Sequence, residues 1–324
     1  MFLYGRLLAL LILSSLILSG CAAGASASPA ATLQSIGRAS ASPQPTHTYT
    51  RPPTKTFTPT STPSPTSPPS PTVTATLWPS ATASPTPLTC WTKGGHIETG
   101  SLDTDLLRLP LEYRIYLPPC YDQQPERHYP TLYLIHGQSF TDDQWDRLGA
   151  DETADALIAA GQVPPFIIVM PRDRYGGEPG DSQFAQAILE VLMPYLDETY
   201  RMLSGRDQRA VGGLSRGAGW AVHLAIAHWE TFGALGAHSP AIFHYDAERM
   251  RTMLKAIPAD STPRIYIDIG DRDRPEIMRV ALWFEDLLNQ KSIPHEWHLF
   301  RGYHSEEYWS AHMEQYLRWY ARAW

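Results

Sequence analysis

The residues of this 324-residue chain that could do chemistry gather in a few short stretches. The densest is "RAVGGLSRGAGW", residues 209–220, where glycines and alanines crowd one serine, Ser215. A serine hydroxyl is a poor nucleophile alone; it needs a base within hydrogen-bond reach and a third group to orient that base. Gly213-Leu214-Ser215-Arg216-Gly217 has the G-x-S-x-G form, with a short apolar segment before it and a run of small residues after it. A sharp strand-to-helix turn at this point would strain the serine backbone and leave no room for side chains two residues to either side, a need that Gly213 and Gly217 meet. The start of the following helix would aim backbone N–H groups at a developing oxyanion. The competing reading is a turn serine, or a phosphate cradle lacking the lysine and hydroxyl of a P-loop. A following acid and base would decide between them.

Both follow. "RIYIDIG" (264–270) reads as a strand that runs into "DRDRPE". Asp268 lies within the strand, where a structural role is expected. Asp271 and Asp273 lie beyond its end, where either can meet an imidazole. "HEWHLF" (295–300) reads as the next strand, and "RGYHSEEYW" after it places His304 in a loop. The chain order serine, acid, histidine is one of the orders in which such triads occur. Among the other histidines, His238 in "AHSP" is the main rival, since it should sit at the same sheet edge. It precedes both acids, so it is read as lining the pocket or supporting the site. His136, before Gly137, is expected to shape a loop. The histidines lack metal-ligand spacing and there is no H-E-x-x-H. Neither a metal nor an organic cofactor is expected.

The elements that must position these groups alternate. "EYRIYLPP", "YPTLYLIHG", "PFIIVMP", "QRAVGG", "FGALGAHS", "RIYIDIG" and "HEWHLF" have strand character. "FAQAILEVLMPYLDETY", "GAGWAVHLAIAHW", "RVALWFEDLLNQK" and "YWSAHMEQYLRWYARAW" have helical spacing. Strands alternating with helices predict one α/β domain over residues 90–324. Its sheet should be mostly parallel and covered by helices on both faces, with the chemistry at the carboxyl ends of strands.

Five stretches, "YRIYLPPCYD", "YPTLYLIHGQ", "GLSRGAGWAVHLAIAHWETFGALGAHSP", "IYIDIGDRD" and "FRGYHSEEYW", together resemble the putative esterase family of the α/β-hydrolases. That family includes esterase D-like enzymes, feruloyl esterases, enterochelin esterases and mycolyltransferases. The resemblance spans about residues 98–324. It implies an α/β-hydrolase fold with Ser215 as nucleophile and His304 as base. It implies Asp273, three residues after Gly270, as the acid in preference to Asp271. It also implies an oxyanion hole from the backbone N–H groups of Gln138 and Arg216. The chain departs from the family where Arg216 and Ala218 follow the serine, since many members have an apolar residue and two glycines there. The Arg216 side chain is read equally as a substrate contact at the site mouth or as a salt bridge away from the pocket. Cys120 stands where many relatives have glycine.

Ahead of this domain the composition changes twice. Arg6 and the apolar run Leu7 to Leu18 have signal-peptide length, and Leu18-Ser19-Gly20-Cys21 resembles a bacterial lipobox, so residues 1–20 are read as a lipoprotein signal peptide and Cys21 as the lipidated residue. Residues 21–89 are rich in Ser, Thr and Pro with no hydrophobic periodicity, which predicts a disordered stalk. Export places the remaining cysteines, Cys90 and Cys120, in an oxidising setting, where a disulfide is expected rather than two free thiols. Residues 1–89 hold four basic residues and no acid. Of the 26 basic residues, 22 therefore face 33 acidic ones in the remainder, a balance of −11. That excess argues against nucleic acid, and leaves the lipid as the only membrane contact. Trp145, Trp220, Trp283, Trp297 and Trp309 are candidates for stacking on sugars or aromatic acids, although most should pack the core. The expected function is a lipid-anchored serine carboxylesterase, outward-facing on the cell envelope, acting on a small-molecule or carbohydrate-linked ester. The alternatives are an acyltransferase to a sugar or wall acceptor, as in the mycolyltransferases, and a non-catalytic binding module on a hydrolase fold.

Overall fold

A computed structural model describes residues 89–324 except Tyr175. The signal peptide, the lipidated Cys21 and the stalk expected from the sequence lie outside the described residues. In chain order the elements are β1 (His96–Leu102), β2 (Leu111–Leu117), β3 (Thr131–Ile135), α1 (Gln144–Arg147), α2 (Ala150–Ala159), β4 (Ile167–Pro171), α3 (Phe184–Ala187) and α4 (Met193–Thr199). They continue with β5 (Arg209–Leu214), α5 (Arg216–Ala227), β6 (Ala234–His238), α6 (His244–Ala256), β7 (Arg264–Gly270), α7 (Pro275–Gln290), β8 (Glu296–Phe300), α8 (Glu306–Ala311) and α9 (Met313–Ala321).

The eight strands form one sheet in the order β1-β2-β4-β3-β5-β6-β7-β8. β1 and β2, and β2 and β4, pair antiparallel; the other pairs are parallel. The interior strands β3, β4 and β6 are buried along their whole length, which accounts for their unbroken apolar sequences. Alternate residues of a strand point to opposite faces and feed two cores. Tyr133, Val169, Val211 and Ile267 pack with α3 to α7 on one face. Leu132, Leu134, Ile168 and Tyr266 pack with α1, α2, α8 and α9 on the other.

Two helices depart from the sequence expectation. The segment starting at Phe184 carries a π turn at Ile188–Leu192, between α3 and α4. Pro194 follows directly, and proline cannot donate to the carbonyl one turn back. The C-terminal helix is not continuous. It breaks at His312, whose ring Nδ1–H donates to the Tyr308 carbonyl (2.7 Å) and so competes with the helical ladder. The expected disulfide joins Cys90 to Cys120. Cys120 has φ 65°, a left-handed conformation that favours glycine and that few other residue types adopt.

Candidate active site

Four chain segments leave the sheet at its carboxyl edge and meet. At the end of β5, Ser215 adopts φ 53° and ψ −118°, outside the regions open to most L-residues. Its surroundings over-determine that conformation. The Ser215 N–H donates to the His238 carbonyl (2.9 Å), and its own carbonyl accepts from Gly219 (3.2 Å) and Ala241 (3.0 Å). The flanking glycines are a steric condition. A Cβ at Gly213 would lie 2.3 Å from the Gly217 backbone, and one at Gly217 would lie 2.0 Å from the Ile135 carbonyl oxygen. α5 follows, buried from Gly217 to Ile226, as its small and apolar sequence requires.

Ser215 Oγ–H donates to His304 Nε2 at 2.8 Å, and His304 Nδ1–H donates to Asp273 Oδ1 at 2.8 Å. The Asp273 side chain is fully buried and that of His304 nearly so. Asp273 Oδ1 also accepts the Arg274 N–H (2.6 Å). Asp271, the other acid considered, does not reach the imidazole. Its carboxylate accepts the Gly302 N–H (3.0 Å), while its own N–H donates to the Phe300 carbonyl. It therefore stitches the loop after β7 to the loop that carries His304. Gly270 allows this approach, since a Cβ there would lie 2.5 Å from the Gly302 oxygen.

The loop after β3 covers the serine from another side. A Cβ at Gly137 would lie 3.7 Å from that of Ser215. The Gly137 N–H is taken by Gln144 Oε1 (2.8 Å). Among the described residues no acceptor holds the Gln138 N–H, and the Arg216 N–H opens α5, where helical donors lack intrahelical acceptors. Gln138 and Arg216 both line a cleft of about 520 Å³ beside the serine, with His136, Phe140, Arg172 and Arg174. The cleft is charged but locally balanced. Arg172 and Arg174 both pair with Glu112; burial opposes the Glu112 charge, but the two guanidinium groups outweigh it and hold the carboxyl below its usual range. The Arg216 guanidinium donates to Asp173 Oδ2 (3.0 Å) and to the Gly177 carbonyl, and lies over the Phe243 ring. Its side chain thus forms a salt bridge, but in the wall of the cleft rather than away from it.

Several groups were not legible as functional. Gln144 is fully buried, and its amide donates to Glu306 (3.0 Å), which also pairs with Arg147. This ties the Gly137 loop to α8, the helix that follows His304. His238 does not line the pocket. It is fully buried, with Nδ1–H donating to Asp268 (2.6 Å) and Nε2 accepting from Tyr320 O–H (3.0 Å). Asp268 also accepts from Tyr308 (2.6 Å) and Tyr316 (2.8 Å). Burial and the Asp268 charge push all three phenols far above their ordinary pKa, so they remain donors. Tyr320 fits only because Gly212 and Gly236 lack side chains; a Cβ at either would lie 1.8 Å from its oxygen. Trp145, Trp220 and Trp309 are buried and Trp283 and Trp297 pack against the core, so these tryptophans pack the core, as expected of most of them. Among the described residues no cluster of three His, Cys, Asp or Glu side chains is placed to hold a metal ion.

A serine on a strained strand-to-helix turn, in a mostly parallel sheet flanked by helices, defines an α/β-hydrolase. Within that class the chain belongs to the Putative esterase family, whose model matches residues 107–320. It is 26% identical over 197 residues to an endo-1,4-beta-xylanase/feruloyl esterase of Xylanibacter ruminicola, covering 58% of this chain and 25% of that protein. The chain spans only 25–30% of the length of the curated relatives it matches. Its fold is similar to that of a ferulic acid esterase, with TM-score 0.62 and 25% identity over 71% of this chain and all of the other. It also resembles the fold of a ferulic acid esterase from Anaeromyces mucronatus solved with ferulic acid, with TM-score 0.56 and 22% identity over 69% of this chain and 90% of that one.

Proposed function

We propose that the protein is a serine carboxylesterase that works through an acyl-enzyme on Ser215. The observation that carries this reading is the continuous hydrogen-bond chain from Ser215 through His304 to Asp273, with both links at 2.8 Å. Ser215 Oγ attacks the ester carbonyl while His304 Nε2 takes its proton. Asp273 keeps the Nδ1–H tautomer in place and stabilises the imidazolium. The Gln138 and Arg216 N–H groups receive the oxyanion. His304 returns the proton to the leaving alcohol, then activates a water that releases the acid and frees the serine. The substrate is a small-molecule or carbohydrate-linked ester, and the likeness to ferulic acid esterases makes feruloyl esters the first to assay. We further propose that lipid on Cys21 and the stalk hold the domain outside the cell.

The test is turnover of a p-nitrophenyl short-chain ester with labelling by a fluorophosphonate. Ser215→Ala should lose both while unfolding at the wild-type temperature. Undiminished turnover in that variant would sink the mechanism, and a folded wild-type protein that takes no label would favour a binding role. For the anchor, a radiolabelled fatty acid fed to the cells should mark the wild-type protein and not Cys21→Ala; equal label on both, or none on the wild type, would refute lipidation at that residue.

A further inference from the structure

We propose that His136 is a positioning residue of the oxyanion hole, fixing the Gly137–Gln138 peptide so that the Gln138 N–H faces the substrate; this rests on the esterase reading above. His136 Nε2 lies 2.9 Å from the backbone N of Asp173, and Nδ1 lies 2.8 Å from the Gly137 oxygen. A backbone N–H can only donate, so Nε2 must be the bare nitrogen and accept from it. The imidazole proton therefore sits on Nδ1 and donates to the Gly137 carbonyl. The ring is buried, and burial lowers its pKa, which favours the neutral tautomer this geometry requires.

The Gly137 carbonyl and the Gln138 N–H belong to one planar trans peptide and point in opposite directions. A hydrogen bond that holds the carbonyl therefore sets the direction of the N–H. On the other side of the Gly137 Cα, the Gly137 N–H is held by Gln144. Both peptide planes around this glycine, the residue type with the freest backbone, are thus pinned by buried side chains.

The anchor for His136 is itself tied to the other oxyanion donor. Asp173 Oδ2 accepts from Arg216 Nε (3.0 Å) and from Trp220 Nε1 (2.8 Å), both on α5. α5 begins at Arg216, whose N–H is the second donor. Hence Asp173 joins the two halves of the hole. Its side chain grips the helix that carries one donor, and its N–H sets the tautomer of the histidine that aims the other. This gives the Arg216 side chain a role that needs no contact with substrate.

The side-chain amides of asparagine and glutamine separate the two functions of the ring. His136→Asn places an N–H near the position of Nδ1 and keeps the bond to Gly137. His136→Gln places its amide near the position of Nε2, keeping the Asp173 contact and losing the bond to Gly137. Removing an oxyanion donor outright lowers kcat by about 10²–10³-fold, and a donor left in place but unaimed should cost about 10–100-fold. We expect that loss in kcat for His136→Gln and His136→Ala with KM little changed, because the oxyanion exists only in the transition state. His136→Asn should recover most of kcat. Equal activities of the Asn and Gln variants, or losses confined to KM, would overturn the proposal. An inactive wild type with an unlabelled Ser215 would instead overturn the esterase reading. Should every variant fail to fold, ¹⁵N imidazole spectra of the full wild-type chain near pH 7 decide. A neutral His136 protonated on Nδ1 is expected; an Nε2–H or charged ring refutes the proposal.

Discussion

Two buried aspartates near the serine should respond oppositely to the same substitution. Asp273 bonds His304, whereas Asp268 bonds His238, Tyr308 and Tyr316. In Asp273→Asn the amide cannot hold the productive His304 tautomer, and loss of that restraint costs about 10⁴ in kcat, or about 5 kcal/mol of transition-state stabilisation. In Asp268→Asn the best accommodation keeps the amide oxygen under the two tyrosine hydroxyls and turns its NH₂ toward His238, which must then move its proton to Nε2. Each tyrosine bond falls from charge-assisted, about 1.5–3 kcal/mol, to neutral, about 0.5–1.5 kcal/mol. Two such losses and the exchanged His238 bond give a destabilisation of about 3 kcal/mol. Asp268→Ala leaves three buried donors without an acceptor and should cost more. Urea unfolding followed by tryptophan fluorescence, with p-nitrophenyl ester kinetics on the folded fraction, separates the two effects. Asp273→Asn should lose activity with little loss of stability, and Asp268→Asn the reverse. Asp271→Asn keeps an oxygen for the Gly302 N–H and should remain within a few-fold of wild type. If Asp271→Asn were inactive and Asp273→Asn active, the assignment of the acid would be wrong.

Gly217→Ala gains about 1 kcal/mol of helix propensity, but its Cβ would lie 2.0 Å from the Ile135 oxygen and 2.5 Å from that of His136. Because both obstacles are backbone, overpacking at about 1–3 kcal/mol should dominate, and a variant with raised thermal stability and full activity would refute this. Replacing Cys90 and Cys120 by serine opens a loop with a sequence separation of 30; chain entropy puts the loss at about 3.5 kcal/mol, measurable by urea unfolding, and an unchanged midpoint would contradict it. The Asp151 carboxyl is pushed up to about 7 by burial, with Glu152 adding to the shift. It binds its proton more tightly folded than unfolded, so stability falls as pH rises from about 4 through 7. Asp151→Asn should therefore raise the melting temperature more at pH 8 than at pH 5, and equal gains at both pH values would rule out this linkage.

The legible parts of the fold were those whose physics is local. The central strands have no polar face to disguise them, and α7 carries its buried residues Ala281, Phe284, Leu287 and Leu288 at helical spacing. The missed elements have weak patterns for identifiable reasons. β1 is an edge strand, half-buried or exposed at every residue. α6 buries only Asp246, Met250 and Leu254. α2, rich in alanine and acids, buries two alanines with Leu157 and Ile158. The serine turn was legible because its steric conditions fall within five residues. The acid was not fully so: Asp271 and Asp273 both follow β7, and the residues alone left both open. Pairing with the His304 loop separates them, since Asp271 is committed to Gly302 and Asp273 is left to face the ring. Gln144, Asp173 and Glu306 carry no local signal. Asp173 finds Arg216 at a separation of 43 residues and Gln144 finds Glu306 at 162, and only the folded sheet edge brings such common residue types together.

A histidine bonded to an aspartate does not by itself mark the chemistry. Three histidines bond an aspartate carboxylate among the described residues: His223 with Asp246, His238 with Asp268, and His304 with Asp273. His238 has the shortest of the three contacts, but its other nitrogen is capped by Tyr320, and it is sealed in the core. His223 lies on α5 against α6. Only His304 turns its second nitrogen to a serine hydroxyl, and that serine is held in a conformation it would not adopt freely. The His238 pair instead supports the site from below. The His238 carbonyl takes the Ser215 N–H, Asp268 lies on the strand that leads to Asp273, and Tyr308 lies on the helix after His304. One buried carboxylate thus ties together the elements that carry the serine, the acid and the base. That is a reason to keep a charge in the core even where an apolar cluster of the same volume would be no less stable.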